Sequence, residues 1–295
     1  MSTRVVAVAN QKGGVGKTTT VINLASCLAE LGRTVLVVDL DPQCNASSGL
    51  GLSPQSGTSL YRALVGEGSA LDLVQPTVTK GLDIIPCELD MAGSEVEVAR
   101  RPNYLHCLSH AMAPLIRADR YQFVLVDCPP SLGILTMNAL ACAHAVLIPM
   151  QCEYYALEGL SVMMRLIRQL HESRANPDLQ VEGILMTMYD GRTKLSEEVV
   201  QEVRRHFTDH VYQTVIPRNV RLSEAPSHGQ PVTEYDRHST GAKAYRSFAE
   251  EFLARDAARQ TPAPAAPPAA VKATPAPGAV NDPMAEAPAT SAPVA

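Results

Sequence analysis

No C-x-x-C pair occurs among the seven cysteines, at positions 27, 44, 87, 107, 128, 142 and 152, which argues against a zinc site and against a disulfide framework. They read as buried thiols in a reducing compartment. There is no excess of basic residues either: the formal net charge is -5, so a surface that coats nucleic acid throughout is excluded and any basic site must be local. The start, MSTRVVAVANQKGG, lacks the basic region, long apolar core and cleavage site of a signal peptide, and no apolar run approaches bilayer-spanning length. A cytoplasmic protein without a membrane partner is the expectation. His106 with His110, and His206 with His210, have the i, i+4 spacing of a helical metal pair but lack the glutamate of H-E-x-x-H, so ordinary histidines are expected. No internal repeat is visible.

What the 295 residues do contain is a series of short β-branched runs: RVVAVA (4 to 9), TVLVVD (34 to 39), LDIIP (82 to 86), QFVLVD (122 to 127), AVLIPM (145 to 150), VEGILMTM (181 to 188) and YQTVIP (212 to 217). Continuous apolar runs are what strands need when helices cover both faces of a parallel sheet. Amphipathic stretches such as TTVINLASCLAELG lie between them, with Gly32 as a stop. The pattern predicts a doubly wound α/β domain over residues 1 to 260 with a mostly parallel sheet, and the loop QKGGVGKTTT after its first strand makes it one of the P-loop NTPase type. From Thr261 to Ala295 the composition changes: 13 of these 35 residues are Ala and 9 are Pro, which predicts a disordered tail.

The stretch QKGGVGKTTT follows the first apolar run and opens a helical pattern, the context of a phosphate-binding loop. Where G-x-x-x-x-G-K-[ST] has its first glycine this chain has Gln11, with an additional lysine, Lys12, beside it. Gly13, Gly14, Val15 and Gly16 would present backbone N–H groups to phosphate, aided by the helix dipole. Lys17 would reach the β and γ phosphates, the Thr18 hydroxyl would join a magnesium shell, and Thr19 would hold the α phosphate. VLVVDLDPQ ends its strand in Asp39 and Asp41, which an extended chain places on one side. FVLVDCPPSLG has the shape of a Walker B strand, in which Asp127 would hold magnesium directly or through a water. An ordinary tight turn would need no lysine, and an aspartate that merely caps a turn is plausible for each motif alone but not for three in order.

Taken together, KGGVGKTTT, VDLDPQCNAS, VDCPPSLG, PMQCEYYALEGL and IPRNVRLSEAPSHG resemble the ParA branch of the deviant Walker ATPases, which segregate chromosomes and plasmids. The likeness runs from about residue 4 to residue 255, and the ten residues before Gln11 match the chromosome type without an N-terminal helix-turn-helix. It implies ATP and Mg2+ as cofactors and a homodimer that sandwiches two ATP molecules. Lys12 would then cross the interface to the partner's phosphates, a device like an arginine finger, worth on the order of 10³ to 10⁵ in rate. The resemblance makes Asp41 the carboxylate that orients the attacking water and leaves Asp39 structural or in the second magnesium shell. It brings Glu153 to the ribose across the interface, although a glutamate before two tyrosines reads equally as a solvated edge residue. It sets Pro217 and Arg218 beside the adenine.

Between Arg192 and Arg259 there are 11 Lys and Arg against 10 Asp and Glu, while the other 227 residues carry 14 against 20. From composition alone these are solvated charges. The resemblance assigns Arg192 and Arg221, with Lys194 and Lys243, to nonspecific binding of double-stranded DNA, and implies a ParB-like partner that stimulates hydrolysis in a nucleoid-associated cycle. A relative that positions another cargo would share every motif. A MinD-like membrane-cycling ATPase should end in a basic amphipathic helix, where this chain has TPAPAAPPAA.

Overall fold

A computed structural model describes residues 3 to 154 and 156 to 260; the segment 261 to 295, expected to be disordered, lies outside the described residues, as does Tyr155 within PMQCEYYALEGL. The strands are β1 (Arg4–Val8), β2 (Val35–Asp39), β3 (Gln75–Pro76), β4 (Leu82–Ile85), β5 (Phe123–Asp127), β6 (Ala145–Gln151), β7 (Gln180–Tyr189) and β8 (Val211–Pro217). Seven of them coincide with the apolar runs to within one residue at either end. The eighth, β3, went unforeseen because two residues carry no period. The strands form one sheet in the order β3-β4-β2-β5-β1-β6-β7-β8, parallel except for the antiparallel edge strand β3.

The helices are α1 (Lys17–Glu30), α2 (Asn45–Gly49), α3 (Tyr61–Leu64), α4 (Met91–Ala99), α5 (Cys107–Arg117), α6 (Ile134–Cys142), α7 (Ala156–Glu172), α8 (Lys194–His206), α9 (Val220–Glu224), α10 (Val232–Tyr235) and α11 (Thr240–Gln260). They cover both faces of the sheet, and β1 shows why its residues are apolar without alternation. Val5 and Ala7 point into one core, with α5 to α8, while Val6 and Val8 point into the other, with α1 and α11. β2 and β5 divide in the same way. Each buried Val or Leu contributes about 1.5–3 kcal/mol, and neither face has water to spare for a polar residue. Six cysteines are buried and Cys142 is half-buried, all as free thiols. The histidine pairs do not share a helix: His106 closes a 3-10 turn ahead of α5, and His206 ends α8 while His210 lies in the turn before β8.

Where the strands begin, a buried ionic cluster ties the last helix to the sheet. Glu182 accepts hydrogen bonds from Tyr212 (2.7 Å) and Arg259 (2.6 Å), and from Arg4, which also pairs with Asp256 on α11. Where the strands end, β1, β5 and β2 stop level with one another, with Val8 opposite Asp127 and Asp127 opposite Asp39. That register gathers the motif residues at the centre of one sheet edge, as doubly wound sheets do.

Candidate functional site

The loop after β1 is shaped by its glycines and fastened by side chains. Gly14 and Gly16 have φ of 72° and 86°, a left-handed conformation costly for any other residue, and Gly16 is the residue from which α1 starts. Gln151 donates to the Gly14 carbonyl and Thr187 to the Val15 carbonyl, both at 2.8 Å. The Asn10 side chain accepts from the Lys12 N–H at 3.0 Å and donates to the Pro149 carbonyl at 2.8 Å. Loop carbonyls are thus held on the protein side, and the start of α1 faces the cavity with its N–H groups, the arrangement that attracts an anion.

Lys17 is 6% exposed, and its amine donates to the Lys12 carbonyl at 3.2 Å. Burial pushes its pKa below the usual lysine value, opposed by the negative fields of Asp127, Cys128 and Asp41. Both oxygens of Asp127 are buried without a hydrogen-bond partner among the described residues, and the Thr18 hydroxyl stands beside them short of hydrogen-bond geometry. Burial first, then Asp39, holds the Asp127 carboxyl well above the ordinary carboxylate range. A buried carboxylate left unpaired costs about 1–3 kcal/mol or more. Two hard oxygen donors, one of them orphaned beside a phosphate loop, fit a magnesium ion.

Asp39, the last residue of β2, and Asp41, just beyond it, have different partners. The strand stops at Asp39, so the alternation of an extended chain no longer applies beyond it. Asp39 accepts from the Ser47 N–H (2.8 Å), the Ser47 hydroxyl (2.7 Å) and the Asp41 N–H (3.1 Å), which anchors α2. Burial raises its pKa to about 6. Asp41 accepts from the Gln43 N–H at 3.0 Å and lines a cavity of about 400 Å³ with Gly13, Lys17, Thr18 and Pro130. A second cavity, of about 520 Å³, shares Gly16, Thr18, Thr19 and Asn45 with it and extends between Ile22 and the segment Pro217, Arg218, Leu222 and Pro226. The two cavities adjoin at the start of α1 and together offer room for a phosphate chain and an attached nucleoside.

Lys12 points elsewhere. Its amine lies 2.5 Å from Glu153 at the end of β6, and the two side chains are 41% and 46% exposed. In the single chain the residues expected to act across an interface therefore hold each other.

Arg192 and Lys194 follow β7 and Arg221 follows β8; these strands are parallel neighbours, so their far ends share one edge. Lys243 lies in the first turn of α11, which is tied to α9 by the Asn219–Thr240 hydrogen bond of 2.6 Å. All four are exposed. The basic balance of the late region proves a poor guide, because Arg246 pairs with Glu30 at 2.7 Å, Arg255 with Glu251 at 2.8 Å, and Arg259 with buried Glu182. Asn10, Gln43, Gln151, Thr187 and Met188 escaped the sequence reading. Asn10, directly before the phosphate loop, and Gln43 and Gln151, within the quoted motifs, had positions that could have drawn notice.

The family described as "AAA domain" matches residues 3–181. The chromosome partitioning protein ParA of Caulobacter vibrioides is 49% identical over 261 residues, covering 88% of this chain and 97% of that protein. The chromosome-partitioning ATPase Soj of Thermus thermophilus is 50% identical over 254 residues, covering 85% and 96%. Among solved structures, cobyrinic acid a,c-diamide synthase from Mycobacterium smegmatis, with a bound ATP analogue and magnesium, has a TM-score of 0.75 at 38% identity and covers 87% of this chain and 97% of its own.

Proposed function

The chain belongs to the ParA family of partition ATPases, and from that premise we propose a cycle in which ATP pairs two copies, the pair holds DNA, and a partner protein triggers its release. It is an ATP-hydrolysing enzyme that uses ATP and Mg2+. The identity to partition proteins, 49% and 50%, against 38% to the diamide synthase over a similar stretch, favours partition over amide synthesis.

Lys17 and the amides of residues 13 to 19 bind and orient the phosphates, and Asp41 orients the attacking water. Thr18 and Asp127 would hold magnesium, which would supply positive charge against the phosphates. Pro217 and Arg218 border the base. There is little covalent chemistry to perform, so rate depends on positioning and charge. The observation that carries the dimer reading is the direction of Lys12: its amine lies outside its own phosphate cavity and, among the described residues, is paired at the exposed rim with Glu153. A partner's γ phosphate offers that cation more than a carboxylate does. Glu153, once released, is then free to meet the partner's ribose. The pair presents Arg192, Lys194, Arg221 and Lys243 to the phosphates of double-stranded DNA without reading bases. Lys194 begins a helix, where a cation gains nothing from the dipole, so its place is better explained by an external anion. A ParB-like protein is the stimulating partner, and the cycle runs in the cytoplasm on the nucleoid. Among the described residues no helix is long and apolar enough to cross a membrane.

The test combines sedimentation and DNA binding with ATP analogue, ADP or no nucleotide. Lys12→Gln should stay monomeric, Asp41→Ala should accumulate as a DNA-bound dimer, and Arg221→Glu should dimerise without binding DNA. A native protein that remains monomeric at saturating non-hydrolysable analogue sinks the reading.

A further inference from the structure

Arg221 is exposed but not idle. Its Nη1 donates to Glu224 Oε2 at 2.8 Å and its Nε lies 3.3 Å from Asp236 Oδ2. The Tyr235 hydroxyl donates to the same Glu224 oxygen at 3.2 Å. The side chains of Arg221, Glu224 and Asp236 are 51%, 39% and 34% exposed, so water and ions reach all three. A solvated pair at i, i+3 adds little to stability, so folding alone is a weak reason for two carboxylates to converge on this arginine. Their electrostatic effect is larger: two negative charges around one positive charge leave a local excess of -1 on the face that is to meet phosphates.

The backbone beneath the group is fixed. The Asn219 side chain caps α9 by accepting from the Arg221 N–H at 2.9 Å and ties it to α11 through Thr240. Leu222 and Ser223, on the other side of α9, line the nucleoside cavity. What remains adjustable is the guanidinium and its choice of anion. Arg192, at the same sheet edge, is held likewise by Asp190, through Nε at 2.9 Å and Nη2 at 2.7 Å.

We propose that Glu224 and Asp236 form a carboxylate clasp on Arg221 that sets the strength of DNA binding, keeping it weak and quickly reversible. This rests on the DNA reading given above. A DNA phosphate must take the guanidinium from its carboxylates, and the released carboxylates then repel the phosphate. The exchange also releases few counterions from the DNA in net terms, since the incoming cation was already partly neutralised.

The experiment titrates fluorescently labelled double-stranded DNA of arbitrary sequence with native protein, Glu224→Gln, Asp236→Asn and the double variant, with Mg2+ and a non-hydrolysable ATP analogue, over a series of KCl concentrations. Glutamine at 224 keeps an acceptor for Tyr235, and thermal unfolding checks that each variant is folded; the two single variants are independent tests. Each neutralised carboxylate should tighten binding about 3-fold per protomer, or about 10-fold for a pair of protomers, as expected of one charge removed several ångströms from a phosphate in water. The slope of log affinity against log salt should steepen by up to about 2 for the pair, near 0.9 per newly neutralised phosphate. A purely structural role for the carboxylates would leave that slope unmoved. Native affinity and native slope in both folded single variants would overturn the clasp while leaving the DNA reading intact. If the native protein binds no DNA in any nucleotide state, both fall together.

Discussion

Glu182 and Asp127 are both carboxylates buried at strand ends, 1% and 0% exposed, yet their surroundings are opposite. Around Glu182, near the start of β7, two arginines and a tyrosine supply hydrogen bonds, and the helix that carries one of those arginines is fixed by them. Around Asp127, at the end of β5, no hydrogen bond reaches either oxygen among the described residues, and the repulsion of Asp39 and Asp41 is opposed by the Lys17 amine. One edge of the sheet therefore stabilises the fold with charge, while the other keeps charge unsatisfied until a ligand arrives. Binding energy released at the second edge is stability withheld from the empty protein.

Removing Glu182 should have the largest effect. Glu182→Ala takes the buried carboxylate from Arg259 and Tyr212 and leaves Arg4 with Asp256 alone, and should cost about 3–5 kcal/mol in denaturant unfolding. The nucleotide affinity of the protein that remains folded should be unchanged. Lys17→Ala should do the reverse: calorimetry should show Mg·ATP binding weakened by about 1.5–3 kcal/mol, the scale of a charged hydrogen bond, without destabilising the nucleotide-free chain. Asp127→Asn should stabilise the nucleotide-free chain by about 1–2 kcal/mol, since an ionisable group is relieved of burial, and should abolish the magnesium dependence of nucleotide binding. A drop in stability for Asp127→Asn would contradict the contrast between the two edges.

The smallest of these effects is a dependence on pH. Asp39 keeps its proton up to about pH 6 in the folded chain, whereas its ordinary value is 3.8. Unfolding between those values releases a proton, so folded stability should fall as pH rises from about 4 to 6, on the order of 1 kcal/mol. Thermal melts without nucleotide would show the decline, and Asp39→Asn should lessen it, leaving the dependence of the same sign that the raised carboxyl of Asp127 contributes.

Strands were legible because a sheet covered on both faces demands unbroken apolar runs, and the phosphate loop because glycine, lysine and threonine at fixed spacing have few other uses. The edge strand β3 was not, since pairing of two residues is decided by the neighbour β4 and not by local pattern. What separates Asp39 from Asp41 was not legible either, since the Ser47 bonds that hold Asp39 are formed eight residues away in the chain. Lys12 and Glu153 lie 141 positions apart, and their contact follows from β1 and β6 being neighbours, a fact of strand order that no motif encodes. Composition misled most where it counted arginines without knowing their partners, as at Arg246, Arg255 and Arg259.

The anchoring of α11 has a practical side. Because Arg259 is pinned beside the beginning of β7, α11 ends on the side of the sheet remote from the cleft. A fluorescent reporter attached at exposed Ala258, in the last turn of α11, would sit away from the mouth through which nucleotide enters, which makes that turn a natural point of attachment for imaging or immobilisation.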